Sequence, residues 1–197
     1  TFMTFRKQLA AALAALILSL GVLAAPMEVS GIKLDDPIDV SGTKLQLNGA
    51  GVRYRGPFKV YTAGMYLSRK AQTPEEALAA PGPKRISITM LREIDSNELG
   101  KLFSRAIEDN MDKAAFSKLV PGVTRMSQVF FAHQKLVAGA VFMIEWVPGA
   151  GTVITIKGQP QGEPFKDPEF YNAMMRIWLG PNPADWKLKD ALRGKAA

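Results

Sequence analysis

The order of elements along the chain predicts an α+β fold, an antiparallel sheet covered by helices. Three observations carry this. Short alternating apolar segments come first. Segments of helical periodicity cluster in the middle and close the chain. Between the two helical groups a hairpin returns around Pro148-Gly149-Ala150-Gly151.

The N-terminus is read separately from the fold. Arg6-Lys7 is a short charged segment, and Leu9 to Leu23 is an uninterrupted apolar run ending in Ala24-Ala25. The run is short for a membrane span and has no stop-transfer charges, so residues 1–25 are expected to be a cleaved signal peptide. Cleavage falls after Ala24 or Ala25, and Met3 is read as the initiator. Residues 26–197 are then expected to form a single domain, exported to the periplasm.

Met27–Leu34 and Val40–Leu47 read as short strands, broken at Asp35-Asp36-Pro37 and Ser41-Gly42. Two strands follow around a turn at Gly56-Pro57. The first carries Arg53, where a side chain is expected to pack inward. An arginine on an inner face needs an anionic or strongly polar partner. Arg55 lies two residues on, at the turn, and is expected to be solvated.

Thr73-Pro74-Glu75-Glu76 starts a short helix, with a threonine cap, proline in the first turn and acids next. It ends near Pro81-Gly82-Pro83. Arg85–Arg92 alternates Ile86, Ile88 and Met90 against Ser87, Thr89 and Leu91, as a central strand would. Asp95 and Glu98 form a capping pattern for a helix with the apolar stripe Leu99, Leu102, Phe103, Ala106, Ile107 and Met111. Asn110 falls on the same stripe, where an amide requires buried partners or a ligand. Helices are expected at Ala114–Leu119 and Val123–Gln134. Strands Ala140–Val147 and Thr152–Lys157 follow, then a helix over Phe170–Leu179 stopped by Gly180. A last helix is expected from an Asn182-Pro183 cap to Leu192.

Composition narrows the chemistry. The 197 residues contain no cysteine and one histidine, His133. Disulfides, thiolate metal sites and a cysteine nucleophile are excluded, and multi-histidine metal sites are disfavoured. No cofactor or metal is expected. The net charge of +7 becomes +5 without residues 1–25, which hold Arg6 and Lys7 and no acid. The charges are scattered and do not interleave with aromatics, so no nucleic-acid partner is expected. The protein is expected to be a monomer without a stable membrane span after cleavage.

From Met27 to Gly194 the chain resembles the bacterial exported members of the chalcone isomerase fold family. The resemblance rests on Asn48-Gly-Ala-Gly-Val-Arg53, Phe58-Lys-Val-Tyr61, Tyr66-Leu67, Met90-Leu-Arg-Glu-Ile-Asp95, Val147-Pro-Gly-Ala-Gly-Thr152 and Ile177-Trp-Leu-Gly-Pro-Asn-Pro183, occurring in order. It implies an open-faced β-sandwich: an antiparallel sheet with a helical layer on one face and a ligand cleft between them. The family's key arginine falls on Arg53 and its active-site asparagine on Asn110.

Two positions depart from the catalytic pattern. Tyr61 stands where the plant enzymes carry a threonine, and Phe103 where they carry a catalytic tyrosine. The departures match the fatty-acid-binding relatives better than the cyclising enzymes. The expected ligand is small and apolar with one acidic or carbonyl end, held by Arg53, Tyr61, Asn110, Phe103 and Trp178. The alternative is an intramolecular lyase that closes a chalcone-like enone to a flavanone, with Arg53 as electrophilic catalyst. The turn decides what Arg53 faces. A three-residue loop, Gly56–Phe58, sets it opposite Tyr61, whereas a two-residue loop at Gly56-Pro57 sets it opposite Val60. The resemblance favours the three-residue loop, with Arg53 opposite Tyr61.

Overall fold

A computed structural model of the chain describes residues 26–195; the leader read at residues 1–25 lies outside them. The strands are β1 (Met27–Val29), β2 (Ile32–Leu34), β3 (Ile38–Val40), β4 (Thr43–Arg55), β5 (Phe58–Leu67), β6 (Lys84–Met90), β7 (Ile94–Asp95), β8 (Lys135–Leu136), β9 (Val141–Val147), β10 (Gly151–Ile156) and β11 (Gln159–Pro160). The helices are α1 (Pro74–Ala79), α2 (Ser96–Glu108), α3 (Lys113–Phe131), α4 (Pro168–Leu179) and α5 (Trp186–Leu192).

Seven strands form one sheet in the order β11-β10-β9-β6-β5-β4-β3, with every pairing antiparallel. The class is α+β, as expected. Strand β6 lies at the centre, and its alternation is that of a strand with one face in the core: Ile86, Ile88 and Met90 are buried. They meet the apolar stripes of the helices, Leu99, Phe103 and Ile107 of α2 and Phe170, Met174, Ile177 and Trp178 of α4. The opposite face of β4 and β5 carries a smaller cluster, Leu45, Leu47 and Tyr66, covered by Leu34 and Val40.

Local signals set most boundaries. Thr73 caps α1 with a reciprocal box, its hydroxyl accepting from Glu76 N at 3.1 Å and its own N–H donating to Glu76 Oε2 at 3.3 Å. Asp95 caps α2 by accepting from Glu98 N at 2.9 Å.

Two expectations are corrected. The helices expected on either side of Pro121 are one helix, α3. Its buried stripe, Leu119, Val123, Met126 and Phe130, runs unbroken past the proline. Pro121 and Ser117, whose carbonyl loses its helical partner, both lie on the exposed side where water can substitute. The last helix starts later than Asn182. Asp185 caps it, accepting from Lys187 N at 2.8 Å and Leu188 N at 3.1 Å.

Helix α5 packs onto bare strand. A Cβ on Gly49 would lie 2.0 Å from Ala191 O, and one on Gly51 would lie 2.7 Å from Ala191 Cβ. Only glycine lets the helix approach β4 this closely.

Candidate functional site

The site begins at the β4–β5 hairpin. The three-residue loop expected at Gly56–Phe58 is corrected: the turn is the two-residue Gly56-Pro57, with Arg55 opposite Phe58. Arg53 nevertheless faces Tyr61, because the register shifts between Arg53 and Tyr54 and leaves Val60 as an extra residue on β5. Neither loop length alone gives this pairing. A bulge re-aims side chains locally, and here it turns both Val60 and Tyr61 toward one cavity.

That cavity holds about 260 Å³. The hairpin contributes Arg53, Arg55, Val60 and Tyr61. Helix α2 contributes Leu99, Leu102, Phe103, Arg105, Ala106 and Asp109. The end of α4 and the loop after it contribute Ile177, Asn182, Pro183 and Ala184, and β7 adds Ile94. The lining is mainly apolar, with three guanidinium groups against the single carboxylate of Asp109. It is a cavity suited to an apolar body with an anionic end.

Arg53 is half-buried and has no carboxylate within ion-pair distance among the described residues. Its Nη1 donates to Tyr54 O at 2.5 Å, a neutral acceptor that leaves the charge uncompensated. Asp185 is committed elsewhere: besides capping α5, its Oδ2 accepts from Tyr54 N at 2.9 Å. The end of the strand that carries Arg53 is thereby tied to α5.

Tyr61 is buried, and its hydroxyl accepts from Trp178 Nε1 at 2.9 Å. With the indole donating to that oxygen, the phenol's own proton remains available to an acceptor in the cavity. Burial pushes the Tyr61 pKa up to about 12, against smaller opposing effects from the Trp178 hydrogen bond and the Arg53 charge. At neutral pH the pair therefore presents a cation beside a neutral donor. Both groups suit a carboxylate or carbonyl oxygen.

Phe103 forms the cavity's inner wall. Its ring meets Phe130 and Trp178 edge-on, each at 5.5 Å between centroids. Trp178 and Asn110 do not line the cavity. Trp178 is fully buried behind Tyr61 and orients it. The Asn110 amide is satisfied within the protein. Its Nδ2 donates to Ala106 O at 2.8 Å and Asn182 O at 2.9 Å, and its Oδ1 accepts from Asn182 N at 2.8 Å. Asn110 thus fastens the end of α2 to the loop that carries Pro183 and Ala184. His133 lies just beyond α3, with its Nε2 2.9 Å from Gln161 Oε1.

Sequence reasoning missed Arg105, Asp109 and Asp185 as residues of this region. Leu102, Arg105, Ala106 and Asp109 follow an i, i+3, i+4, i+7 row beside the core stripe, and that spacing was the available signal. Asp185 stands directly before the periodic segment of α5, as an N-cap does.

A curled antiparallel sheet, a helical layer on one face and a charged-mouthed cavity between them define a ligand-cleft protein of open-faced sandwich architecture. The chain belongs to the chalcone isomerase-like family, whose profile matches residues 26–194. Among solved structures it is similar to a fatty-acid binding protein of Arabidopsis thaliana, with a TM-score of 0.67 and 16% identity over 84% of this chain and 93% of that one. At that identity the likeness is one of fold. No curated protein is a significant sequence match. No described helix is long and apolar enough to cross a membrane.

Proposed function

We propose that the protein binds a small amphipathic acid, fatty-acid-like in chemistry, with its anionic end at Arg53 and Tyr61 and its apolar body against Phe103. One observation carries the reading: a half-buried arginine without a carboxylate partner stands beside a neutral tyrosine at an apolar cavity. A ligand carboxylate accepts a charge-assisted bidentate contact from Arg53 and a hydrogen bond from Tyr61. Burial of its tail supplies most of the affinity. The fold shared with a fatty-acid binding protein supports the same class of ligand.

The protein does not cyclise chalcones in this reading. Phe103 occupies the position where the plant enzymes carry a tyrosine, and Tyr61 is the cavity's one hydroxyl-bearing residue among those described. An enolate would have Arg53 and Tyr61 alone for stabilisation. The protein acts as a monomeric single domain in the periplasm after loss of residues 1–25, without cofactor or nucleic-acid partner. The apolar run at Leu9–Leu23 and the scattered surface charge support this.

The test is extraction and mass spectrometry of acids that co-purify with the protein, with Arg53→Ala processed beside it. The expected result is a bound acid in the wild type that is lost in the variant. Retention by Arg53→Ala would sink the reading, as would hydroxychalcone cyclisation well above the spontaneous rate. Cell fractionation and N-terminal sequencing check the export.

A further inference from the structure

The cavity ends abruptly, and the way it ends bears on what fits. Beyond Phe103, toward the sheet, the described residues form a solid aromatic block. Phe103 abuts Phe130, Phe142 and Trp178, with centroids 5.5, 6.0 and 5.5 Å away, and Phe130 meets Phe142 at 5.5 Å. Phe130, Phe142 and Trp178 are at most 1% exposed. A core at this density leaves no path for a chain between the rings. Toward solvent the cavity adjoins a groove past Arg55, Val60 and Ile94 that mixes Pro57 and Phe58 with the charged Arg92, Glu93, Asp95 and Glu98. Most of these residues are exposed, so methylenes extended there stay in contact with water and gain less than those inside.

The closed end gives a length limit. An apolar cavity of about 150 Å³ takes a benzene ring, six CH groups, so one of about 260 Å³ takes roughly ten such groups. From these observations, and resting on the acid-binding reading above, we propose that the site selects short acids. It takes straight chains of up to about nine or ten carbons, or a single aromatic ring with a short acidic arm. Long-chain fatty acids gain little from their outer carbons. The same limit disfavours a two-ring chalcone.

The experiment is a calorimetric series of n-alkanoates from hexanoate to hexadecanoate, below their micellar concentrations, on the purified wild-type protein, Arg53→Ala, Ala106→Leu and Phe103→Ala. Affinity should rise about fourfold per methylene while the chain is inside the cavity, then level off near nine or ten carbons. Ala106→Leu, which fills the cavity from α2, should move the plateau to shorter chains. Phe103→Ala, which opens the inner wall, should move it to longer ones. If Phe103→Ala does not fold, the wild type and Ala106→Leu still decide. A rise that continues to hexadecanoate in the wild type overturns the length limit and leaves the acid-binding reading standing. So does a plateau that Ala106→Leu leaves in place. If no alkanoate binds, or if Arg53→Ala binds them all as well as the wild type, the acid-binding reading itself falls.

Discussion

Two arginines in the main sheet have nearly the same immediate setting and opposite electrostatics. Arg53 on β4 faces Tyr61 on β5, and Arg85 on β6 faces Tyr66 on β5. Arg85, however, has a second neighbour on its other side. Its register partner on β9 is Glu145, whose Oε1 accepts from Nε at 2.7 Å and Nη2 at 2.5 Å. The two side chains are 20% and 13% exposed, so this pair is only weakly screened. Arg53 has no such neighbour, since β4 pairs with β3 only over Thr43–Leu45. One arginine is paired within the sheet, while the other has no carboxylate partner among the described residues. A strand arginine thus points to a site when its cross-strand acid is missing.

Four experiments break or sharpen that contrast, beginning with the largest effect. Arg53→Ala should weaken binding of a medium-chain alkanoate by about 2–5 kcal/mol, while stability in denaturant changes by no more than about 0.5 kcal/mol. Unchanged affinity would make the two arginines equivalent. Glu145→Ala should do the reverse. It strands the Arg85 charge in a half-closed setting and should cost on the order of 2–3 kcal/mol of unfolding free energy, with alkanoate affinity retained.

Tyr61→Phe should fall between the two in kind. It removes a donor from the cavity and leaves Trp178 Nε1 buried without its acceptor. A stability loss of about 1–2 kcal/mol is expected, with a drop in affinity smaller than that of Arg53→Ala. Denaturant unfolding followed by tryptophan emission, alongside calorimetry, reads both. Arg55→Ala should be nearly silent in stability, below about 0.5 kcal/mol, because its 3.8 Å pair with Glu98 is largely exposed.

Alkaline titration tests what the two settings share. Burial pushes both Tyr61 and Tyr66 up to about 12, and in each case the facing arginine only partly offsets it. Unfolded phenols ionise near 10. Stability should therefore be unaffected by these groups below pH 10 and should fall as pH rises through 12, since the unfolded chain releases its protons first. Phenolate absorbance from the two residues should appear together with unfolding. A phenolate signal in the folded protein near pH 10 that shrinks in both Tyr61→Phe and Tyr66→Phe would mean that neither tyrosine is buried as described, since the exposed Tyr54 contributes equally to all three proteins.

Much of this architecture was legible in the chain because it is locally determined. The caps at Thr73 and Asp95 need only neighbours three residues away, and the alternation of β6 needs only a core on one side. What was not legible depends on distant residues. Pro121 reads as a break, yet a continuous buried stripe holds α3 together across it. The bulge at Val60 has no local signature, because Gly56-Pro57 alone specifies only a tight turn. Arg53 is expected opposite Tyr61 through a three-residue loop, whereas the pairing arises from a two-residue turn and a bulge. Asn110 reads in the sequence as an amide needing buried partners or a ligand, and is expected among the ligand's contacts. Its partners are backbone groups of Ala106 and Asn182, and the latter lies far along the sequence in a loop no periodicity describes. Trp178 acts through Tyr61 and not on the cavity itself.

The bare seat of α5 on β4 has a bearing on how this protein tolerates change. Gly49 and Gly51 do not line the cavity at Arg53, yet a side chain at either would act as a wedge beneath α5. The lifted helix would carry Asp185 with it, and Asp185 is the grip on Tyr54, the residue beside Arg53. A methyl group added at position 51 would thus be felt at the ligand's charged end as a change of aim. In the acid-binding reading, a substitution at position 51 therefore lowers affinity without touching the ligand.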